Sequence, residues 1–406
     1  MTLKRTTLNL ALILAATAGT VAQDWNQWRG PGRDGIVSQF EAPESWPGEL
    51  TLAWKIAVGE GHSSPLWVDD RIYLHSRMGE DEVVAAYSAA DGSKIWENRV
   101  ETPYTMDSAA LDHGKGPKST PVFHEGVLYT FGISGTLSAI VAETGELGWR
   151  ISFGDRFEAT SPLFGTAASP LIVDDVVVAH VGGHERGALA AFELADGKLR
   201  WEWTGDGPGY SSPIVIEMGG TRQIVTQSQQ WIIALDAASG AETWKMPFVT
   251  SSYQNSVSPV ALPNSVLWSG LDQGTFAVRS GLGAPETLWK TTRSSFYMNT
   301  PVLRGGRLYG LSHKRRGQFV CLDATSGEAI WGSLGREGEN AAILATPQHV
   351  FFLTTDARLV IVDAGATEYV PAAEYSVADS PTWAHPVIQG NSILIKDLQH
   401  LARWTF

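Results

Sequence analysis

Short apolar runs alternate with polar, glycine-bearing turns along most of this chain. The runs are roughly four to eight residues long and rich in Val, Ile, Leu and Tyr, as is typical of buried strands. Five turn glycines each lie four residues before a tryptophan; the pairs are Gly92 and Trp96, Gly145 and Trp149, Gly197 and Trp201, Gly240 and Trp244, and Gly327 and Trp331. The pattern predicts antiparallel strands joined by tight turns in which glycine supplies a positive φ.

The same pattern has a long period. A looser copy ends at Trp289, a degenerate one ends at Tyr375, and Trp54 stands one period before the first full copy. A repeat of about 46 residues that is rich in strand formers is typical of a four-stranded propeller blade. We predict that the blade tryptophans are structural and fill the wedges between adjacent blades. They are Trp54, Trp96, Trp149, Trp201, Trp244, Trp289 and Trp331.

A second pattern runs in phase with the first: two mostly small residues stand before a proline, and apolar residues follow it. Proline at the start of a strand loses no ladder hydrogen bond, so each of these markers is predicted to begin an innermost strand. Eight markers predict eight blades. They are Ser63-Ser64-Pro65, Ser119-Thr120-Pro121, Ala168-Ser169-Pro170, Ser211-Ser212-Pro213, Val257-Ser258-Pro259, Asn299-Thr300-Pro301, Ala345-Thr346-Pro347 and Ala384-His385-Pro386.

The phase of the two patterns predicts how the ring closes. Trp54 comes before the first marker, and only three strands' worth of chain follows Pro386. We therefore expect an all-β fold over residues 50–406: an eight-bladed β-propeller of four-stranded antiparallel blades, with the N- and C-terminal strands sharing one blade. Closure of this kind removes the exposed sheet edges.

The first residues have a different composition. Lys4 and Arg5 precede an apolar run over residues 8–18, so residues 1–22 are predicted to be a secretory signal peptide. Residues 23–49 are predicted to be an N-terminal extension that packs on the ring. The protein is expected to be exported to the periplasm or the extracellular space. No later stretch is long and apolar enough to predict a membrane span in the mature chain.

Charge and cysteine content narrow the functional classes. The formal net charge of −13 disfavours nucleic acid as a partner, because phosphate backbones would be repelled. With Cys321 as the one cysteine, no disulfide can form within the chain. The ten histidines show no repeated ligand spacing, so no metal site is predicted. The expected state is a monomer.

Two sets of residues are candidates for binding. The residue before each marker proline is predicted to lie at the rim of the central channel, and the rim candidates are His62, Ser64, Lys118, Asn299 and His385. Two connections, from Trp96 to Pro121 and from Trp149 to Pro170, are longer than most and should lie side by side over the channel mouth. Their candidates are Tyr104, Asp107, His113, Arg156 and Phe157. No catalytic residue is predicted.

The Asp-x-x-Ser/Thr-Gly-x-x-x-Trp turn resembles the repeat of the pyrroloquinoline-quinone (PQQ) propellers, of which BamB-like proteins are one branch. The segment Trp28-Arg-Gly-Pro-Gly-Arg-Asp-Gly35 is similar to the opening of exported bacterial members. The resemblance implies the propeller fold but leaves the activity open, because function depends on the site and not on the fold.

Two functions therefore stay in view, ahead of a third, another envelope enzyme such as a glycan-active one on a propeller frame. The first is a non-catalytic binding or scaffolding protein of the cell envelope, whose partner is an envelope protein or a small polar ligand, with no cofactor. The alternative is a PQQ-dependent quinoprotein oxidoreductase that acts on alcohols or sugars with PQQ and calcium. The resemblance implies for that branch an adjacent cysteine pair and a calcium cluster of Glu, Asn and Asp. A single Cys321 and the lack of such a cluster disfavour it.

Overall fold

The computed structural model describes residues 23–40, 42–281 and 283–406. The predicted signal peptide, residues 1–22, lies outside the described residues. The described chain forms eight four-stranded sheets, each with its strands in antiparallel order. The predicted all-β, eight-bladed propeller is confirmed. None of the described helices is long and apolar enough to cross a membrane.

The first sixteen strands are β1 (Thr51–Ala57), β2 (Leu66–Val68), β3 (Arg71–Met78), β4 (Asp81–Ser88), β5 (Lys94–Glu101), β6 (Val122–His124), β7 (Val127–Phe131), β8 (Leu137–Val141), β9 (Leu147–Ile151), β10 (Leu171–Val173), β11 (Val176–Gly183), β12 (Arg186–Glu193), β13 (Leu199–Trp203), β14 (Ile214–Met218), β15 (Thr221–Gln227) and β16 (Trp231–Asp236). The others are β17 (Glu242–Pro247), β18 (Val260–Leu262), β19 (Ser265–Gly270), β20 (Gly274–Gly281), β21 (Gly283–Thr291), β22 (Val302–Arg304), β23 (Arg307–Ser312), β24 (Gln318–Asp323), β25 (Ala329–Gly332), β26 (Ala341–Ala345), β27 (His349–Thr354), β28 (Arg358–Asp363), β29 (Pro371–Ser376), β30 (Val387–Gln389), β31 (Ser392–Lys396) and β32 (His400–Thr405). Short 3₁₀ turns cover Ser108–His113, Ser251–Tyr253 and Lys314–Arg316.

Blade one is β2 to β5, and blades two to seven follow in groups of four strands. Blade eight is built from both ends of the chain, in the order β1-β32-β31-β30. Strand β1 pairs with β32 from Thr51 opposite Thr405 to Ala57 opposite His400. The predicted closure by the two terminal strands is confirmed.

The turn glycines and the tryptophans meet across blade boundaries. A Cβ added to Gly240 of blade four would lie 2.3 Å from Cε3 of Trp201 in blade three. Gly145 stands in the same relation to Trp96, at 2.5 Å, and Gly327 to Trp289, at 2.4 Å. Each of these glycines also has a positive φ. The repeated glycine therefore meets two demands, the left-handed turn and the close approach of the preceding blade's indole ring.

Seven of the eight markers stand directly before an innermost strand, but the expectation is wrong for blade seven. There the innermost strand β26 ends at Ala345, and Pro347 lies in the turn that leads to β27. Thr346 forms hydrogen bonds with His349 across that turn. The apolar segment from Ala341 to Ala345 takes the inner position instead, because it pairs both with β27 and with Ile36 of the N-terminal extension.

The N-terminal extension crosses one end of the central channel. Trp25 pairs with Trp67 of blade one, and Ile36 pairs with Ala345 of blade seven. Between them, Arg29 donates to the carbonyl oxygens of Thr300 and Pro301 in blade six. Arg33 donates to the carbonyl oxygens of Ser169 and Pro170 in blade three. The extension thus ties blades one, three, six and seven together and closes the channel from one side.

Candidate functional site

A pocket of about 1030 Å³, including its open mouth, lies where the channel meets the loops between blades. It is floored by the N-terminal extension and walled by residues that precede the innermost strands. The lining residues are Trp28, His62, Ser64, His113, Lys118, Thr120, Phe164, Ala167, Tyr210, Ser212, Gln254, Ser256, Ser258, Tyr297, Met298, Thr300, Asn340, Ala341, Ala342, Trp383 and His385.

A chain of hydrogen bonds fixes the lower rim of the pocket. Each backbone N–H donates to the hydroxyl of the next blade, and the members in order are His385, Ser64, Thr120, Ser169, Ser212, Ser258 and Thr300. Blade seven presents Ala341 and Ala342 at this level, and an alanine side chain has no hydroxyl to continue the chain of bonds. The hydroxyls thus satisfy strand-end N–H groups, which accounts for the Ser or Thr that precedes most marker prolines.

Aromatic rings form the upper wall. His62 stacks on Trp383 with ring centroids 5.3 Å apart. His113 meets both Trp383 and Phe164 edge-on. Phe164 in turn packs against Tyr210. Flat apolar faces that alternate with polar edges suit ligands with both apolar and hydrogen-bonding surfaces.

The floor is Trp28, held from below by two cations. The guanidinium carbons of Arg29 and Arg33 lie 5.5 and 5.7 Å from the Trp28 ring centroid. On the side wall, Asn340 is only 6% exposed, and its Oδ1 has no protein partner. A buried amide oxygen without a partner is costly unless a ligand or water supplies a donor.

The pocket is electropositive in a chain that is acidic overall. Lys118 donates to the carbonyl oxygens of Gly114 and Phe164, and burial lowers its pKa to about 8. Burial lowers the pKa of His385 to about 3 and holds the pKa of His62 well below its usual range. Both imidazoles are therefore neutral and weakly basic at pH 7. None of the described lining residues is a carboxylate.

The structure brings five predicted residues to this pocket: His62, Ser64, His113, Lys118 and His385. The rim expectation is wrong for Asn299. Its amide donates to and accepts from the backbone of Leu311, so it bridges to strand β23 instead of lining the pocket. The reason is register, since Asn299 lies two residues before the proline and the lining positions lie one and three before it.

The other loop candidates lie outside the pocket. Tyr104 bonds through its hydroxyl to Ser161, and Asp107 caps the short 3₁₀ turn that begins at Ser108. Arg156 forms an ion pair with Glu202 and covers the ring of Phe157. Phe157 also packs against the core between blades two and three. These side chains hold the long loops on the ring.

Several pocket residues were not among the sequence candidates: Trp28, Phe164, Tyr210, Tyr297, Asn340 and Trp383. The position of some of these residues in the sequence does mark them as pocket residues. The third residue before the marker proline lines the pocket in seven blades: His62, Lys118, Ala167, Tyr210, Ser256, Met298 and Trp383.

The residues present do not fit PQQ held with calcium. Calcium takes six to eight oxygen ligands, with carboxylates prominent among them. The pocket lining has no carboxylate, and no cluster of three or more His, Cys, Asp or Glu side chains capable of holding a metal occurs among the described residues. Of the lining side chains, only Lys118 is a cation available to a polycarboxylate ligand.

A second buried lysine predicts a pH dependence of stability. Lys396 is fully buried, its Nζ donates to the carbonyl oxygens of Gly59, Gly61 and Asp397, and burial lowers its pKa to about 8. Between that value and the unfolded value of about 10.4, the unfolded chain binds the extra proton, so stability rises with pH. We expect Lys396 to contribute a rise of about 1 kcal/mol in the free energy of unfolding from pH 8 to pH 9, measured by urea unfolding. Lys118, whose pKa is also lowered to about 8, adds to the rise in the same range. A Lys396→Met variant should show a flatter profile, and an unchanged profile would contradict the assignment.

The sequence is similar to two groups of known proteins, BamB proteins and quinoprotein dehydrogenases. A family model described as the outer membrane protein assembly factor BamB matches residues 49–112 and 80–333. BamB of Yersinia pestis is 24% identical over 269 residues, which cover 63% of this chain and 61% of that protein. The methanol dehydrogenase subunit 1 of Paracoccus denitrificans is 26% identical over 211 residues, which cover 46% of this chain and 31% of that protein. The chain thus spans about 61% of the Yersinia relative's length.

Solved structures show the same architecture. BamB from Moraxella catarrhalis superposes with a TM-score of 0.63 at 16% identity, over 88% of this chain and 98% of that one. The quinohemoprotein alcohol dehydrogenase from Comamonas testosteroni superposes with a TM-score of 0.70 at 14% identity, over 94% of this chain and 80% of that one. At these identities the likeness carries the fold alone.

Proposed function

Because the chain belongs to the family of the outer membrane protein assembly factor BamB, we propose that it is an exported, non-catalytic binding or scaffolding protein of the cell envelope. It engages an envelope protein through the loop face, defined here as the end of the ring where each outermost strand connects to the next blade. The observation that carries the proposal is that the pocket and several exposed aliphatic side chains share this face.

The exposed side chains come from loops that also supply pocket residues. Leu111 is 62% exposed in the loop that leads to Lys118, and Leu334 is 95% exposed in the loop that leads to Asn340. Val249, at 45%, lies in the loop that leads to Ser256. Solvent-exposed apolar side chains near a concave aromatic pocket are typical of a protein-binding surface.

The pocket chemistry supports binding more than catalysis. Its rim hydroxyls accept hydrogen bonds from backbone N–H groups, and the imidazoles of His62 and His385 are weak bases. A general base works best with a pKa near the operating pH, and His385, with a pKa of about 3, lies far below that range. The pocket can instead take an apolar or hydrogen-bonding segment of the partner between the rings of Trp383, Phe164 and Trp28.

A double substitution tests this surface. Leu111→Ser with Leu334→Ser should weaken capture of an envelope partner by at least about tenfold, because two apolar contacts worth ~1 kcal/mol or more each are lost. The measurement is quantitative crosslinking and recovery from an envelope extract, followed by titration of the recovered protein against each variant.

The matched control is Leu147→Ser with Leu199→Ser. These leucines are 46% and 47% exposed, and each begins an outermost strand at the opposite end of its blade. Capture by the control should equal that of the unmodified protein. Equal loss in both double variants, or loss in neither, would refute the loop face as the binding surface. A parallel titration with PQQ and calcium should leave the visible spectrum unchanged, and stoichiometric uptake would favour the quinoprotein alternative.

A further inference from the structure

A second pocket, of about 790 Å³, lies between blades one and two, away from the channel. One row of side chains comes from blade one, where His75 pairs with Val84 and Val84 with Asn98. The facing row comes from blade two, where Thr130 pairs with Ser138 and Ser138 with Arg150. All six residues line the pocket.

The boundary between blades two and three shows which side chains occupy the equivalent positions there. In blade two, the pair Phe131 and Leu137 occupies the register of His75 and Val84. Phe131 and Leu137 pack with Val181 of blade three in a closed apolar cluster. The boundary between blades one and two has an apolar cluster that includes Val84 and Ile140, but beside it lie polar side chains and open volume, where the next boundary is apolar. Polar side chains with open volume between them pack less closely than an apolar core, so part of this boundary is left without protein contacts.

The inner end of the pocket is a buried dyad. His75 is 2% exposed, and its Nε2 lies 3.3 Å from Oε2 of Glu82. Burial would raise the pKa of Glu82, but the bond to His75, the N–H of Ile133 and the charge of Arg77 together lower it. The carboxylate is thus ionised and accepts the Nε2 proton. The remaining ring nitrogen, Nδ1, is buried and has no protein partner.

The approach of the dyad to blade two depends on a glycine. A Cβ added to Gly132 would lie 2.3 Å from Oε2 of Glu82. The backbone N–H of Ile133, the next residue, donates to Oε1 of Glu82 at 2.8 Å. Both carboxylate oxygens are therefore occupied by the protein, which leaves Nδ1 of His75 as the free hydrogen-bonding atom of the dyad. In the neutral ring, this nitrogen accepts a proton donor.

The outer end of the pocket carries Arg150, an exposed side chain that forms no ion pair with the described residues. The pocket is also lined by two carboxylates, Glu101 and Glu82, and the charge of Glu82 acts on Arg150. Arg150 donates through Nε to Oγ of Ser138 at 3.0 Å. No carboxylate lies within ion-pair distance of Arg150 in the described part of the chain, and its two terminal nitrogens make no protein hydrogen bond. A guanidinium held at one edge presents its other donors to a planar anion.

From this arrangement we propose that the pocket between blades one and two binds a small hydroxylated carboxylate of the sugar-acid class. The carboxylate lies on the guanidinium of Arg150, and a hydroxyl group donates to Nδ1 of His75, with Thr130 and Asn98 beside it. The ligand replaces the packing that the boundary lacks and joins the two blades. The site is separate from the loop face and does not rest on the proposed function.

Calorimetric titration with D-glucuronate tests the site, with D-glucose and acetate as ligands that lack the carboxylate or the hydroxyls. We expect glucuronate to bind, and the other two to bind at least about tenfold more weakly. Arg150→Gln should weaken glucuronate binding by a similar factor. Lys245→Gln is the matched control, since Lys245 also directly follows a blade tryptophan, and it should have no effect.

His75→Phe copies the residue that fills the next boundary and should abolish binding; it should also lower the unfolding midpoint, because the buried Glu82 carboxylate loses its Nε2 donor. Three results would overturn the proposal: no glucuronate binding in the millimolar range, equal binding of all three ligands, or an Arg150→Gln variant that binds as well as the Lys245→Gln control. The first would mean that the pocket holds water only.

Discussion

Replacing Trp201 by alanine should destabilise the protein by about 3–5 kcal/mol, the cost of removing a core tryptophan. The ring is 9% exposed and packs in a cluster with Ile224 and Leu235 of the next blade. Its Nε1 has no protein partner, so the loss is one of packing and not of a hydrogen bond. Equilibrium unfolding in urea, followed by far-ultraviolet circular dichroism, measures the change.

The contact with Gly240 gives this prediction an internal control. Gly240→Ala introduces a Cβ that would lie 2.3 Å from the Trp201 ring, at a φ of +71°. In the Trp201→Ala background the steric clash is gone and only the backbone strain remains, about 1 kcal/mol. The second substitution should therefore cost less in the double variant than alone. Additive effects, or a loss below about 0.5 kcal/mol for Trp201→Ala, would show that the ring does not fill the wedge.

Repetition is what made the ring predictable. Each glycine–tryptophan step and each marker proline reports the same local geometry, so the copies together establish blade number, strand order and closure. The marker rule fails in blade seven, where Thr346-Pro347 lies in a turn and does not precede the innermost strand. There the N-terminal extension pairs with Ala345 and changes the contacts of that strand. A local sequence pattern cannot show that a segment far away in the sequence, here the N-terminal extension, changes which residues form the innermost strand.

The candidate site was predictable only in part, for a related reason. Residues one and three positions before the marker prolines line the pocket, and the three-residue offset that would have added Tyr210 and Trp383 is a register effect of extended backbone. Trp28 and Asn340 do not lie one or three residues before a marker proline, so this pattern does not identify them. Trp28 reaches the pocket from beneath because Arg29 and Arg33 hold its segment to blades six and three. Contacts across more than a hundred residues leave no local pattern.

The second prediction with a large effect concerns Arg29, which anchors the N-terminal extension to the ring. Replacing Arg29 by methionine should destabilise the protein by about 3 kcal/mol or more, because two buried carbonyl oxygens and one half-buried one lose their donor at about 1–3 kcal/mol each. Arg29 is 0% exposed and donates to the carbonyl oxygens of Asp34, Thr300 and Pro301. Burial lowers its pKa to about 10, so the group remains charged at pH 7. Without it, these acceptors in the channel lose their donor.

Two measurements separate loss of the anchor from general weakening. Urea unfolding gives the free energy, and limited proteolysis at native conditions reports whether residues 23–37 leave the channel. Arg29→Met should show early cleavage within that segment, whereas Trp201→Ala, with a similar loss of stability, should not. Arg99→Met is the control for charge removal, since Arg99 is exposed at the blade surface and should change neither readout. If Arg29→Met unfolds like the control, the extension is held by its aromatic contacts, and the Arg29 guanidinium is not its anchor.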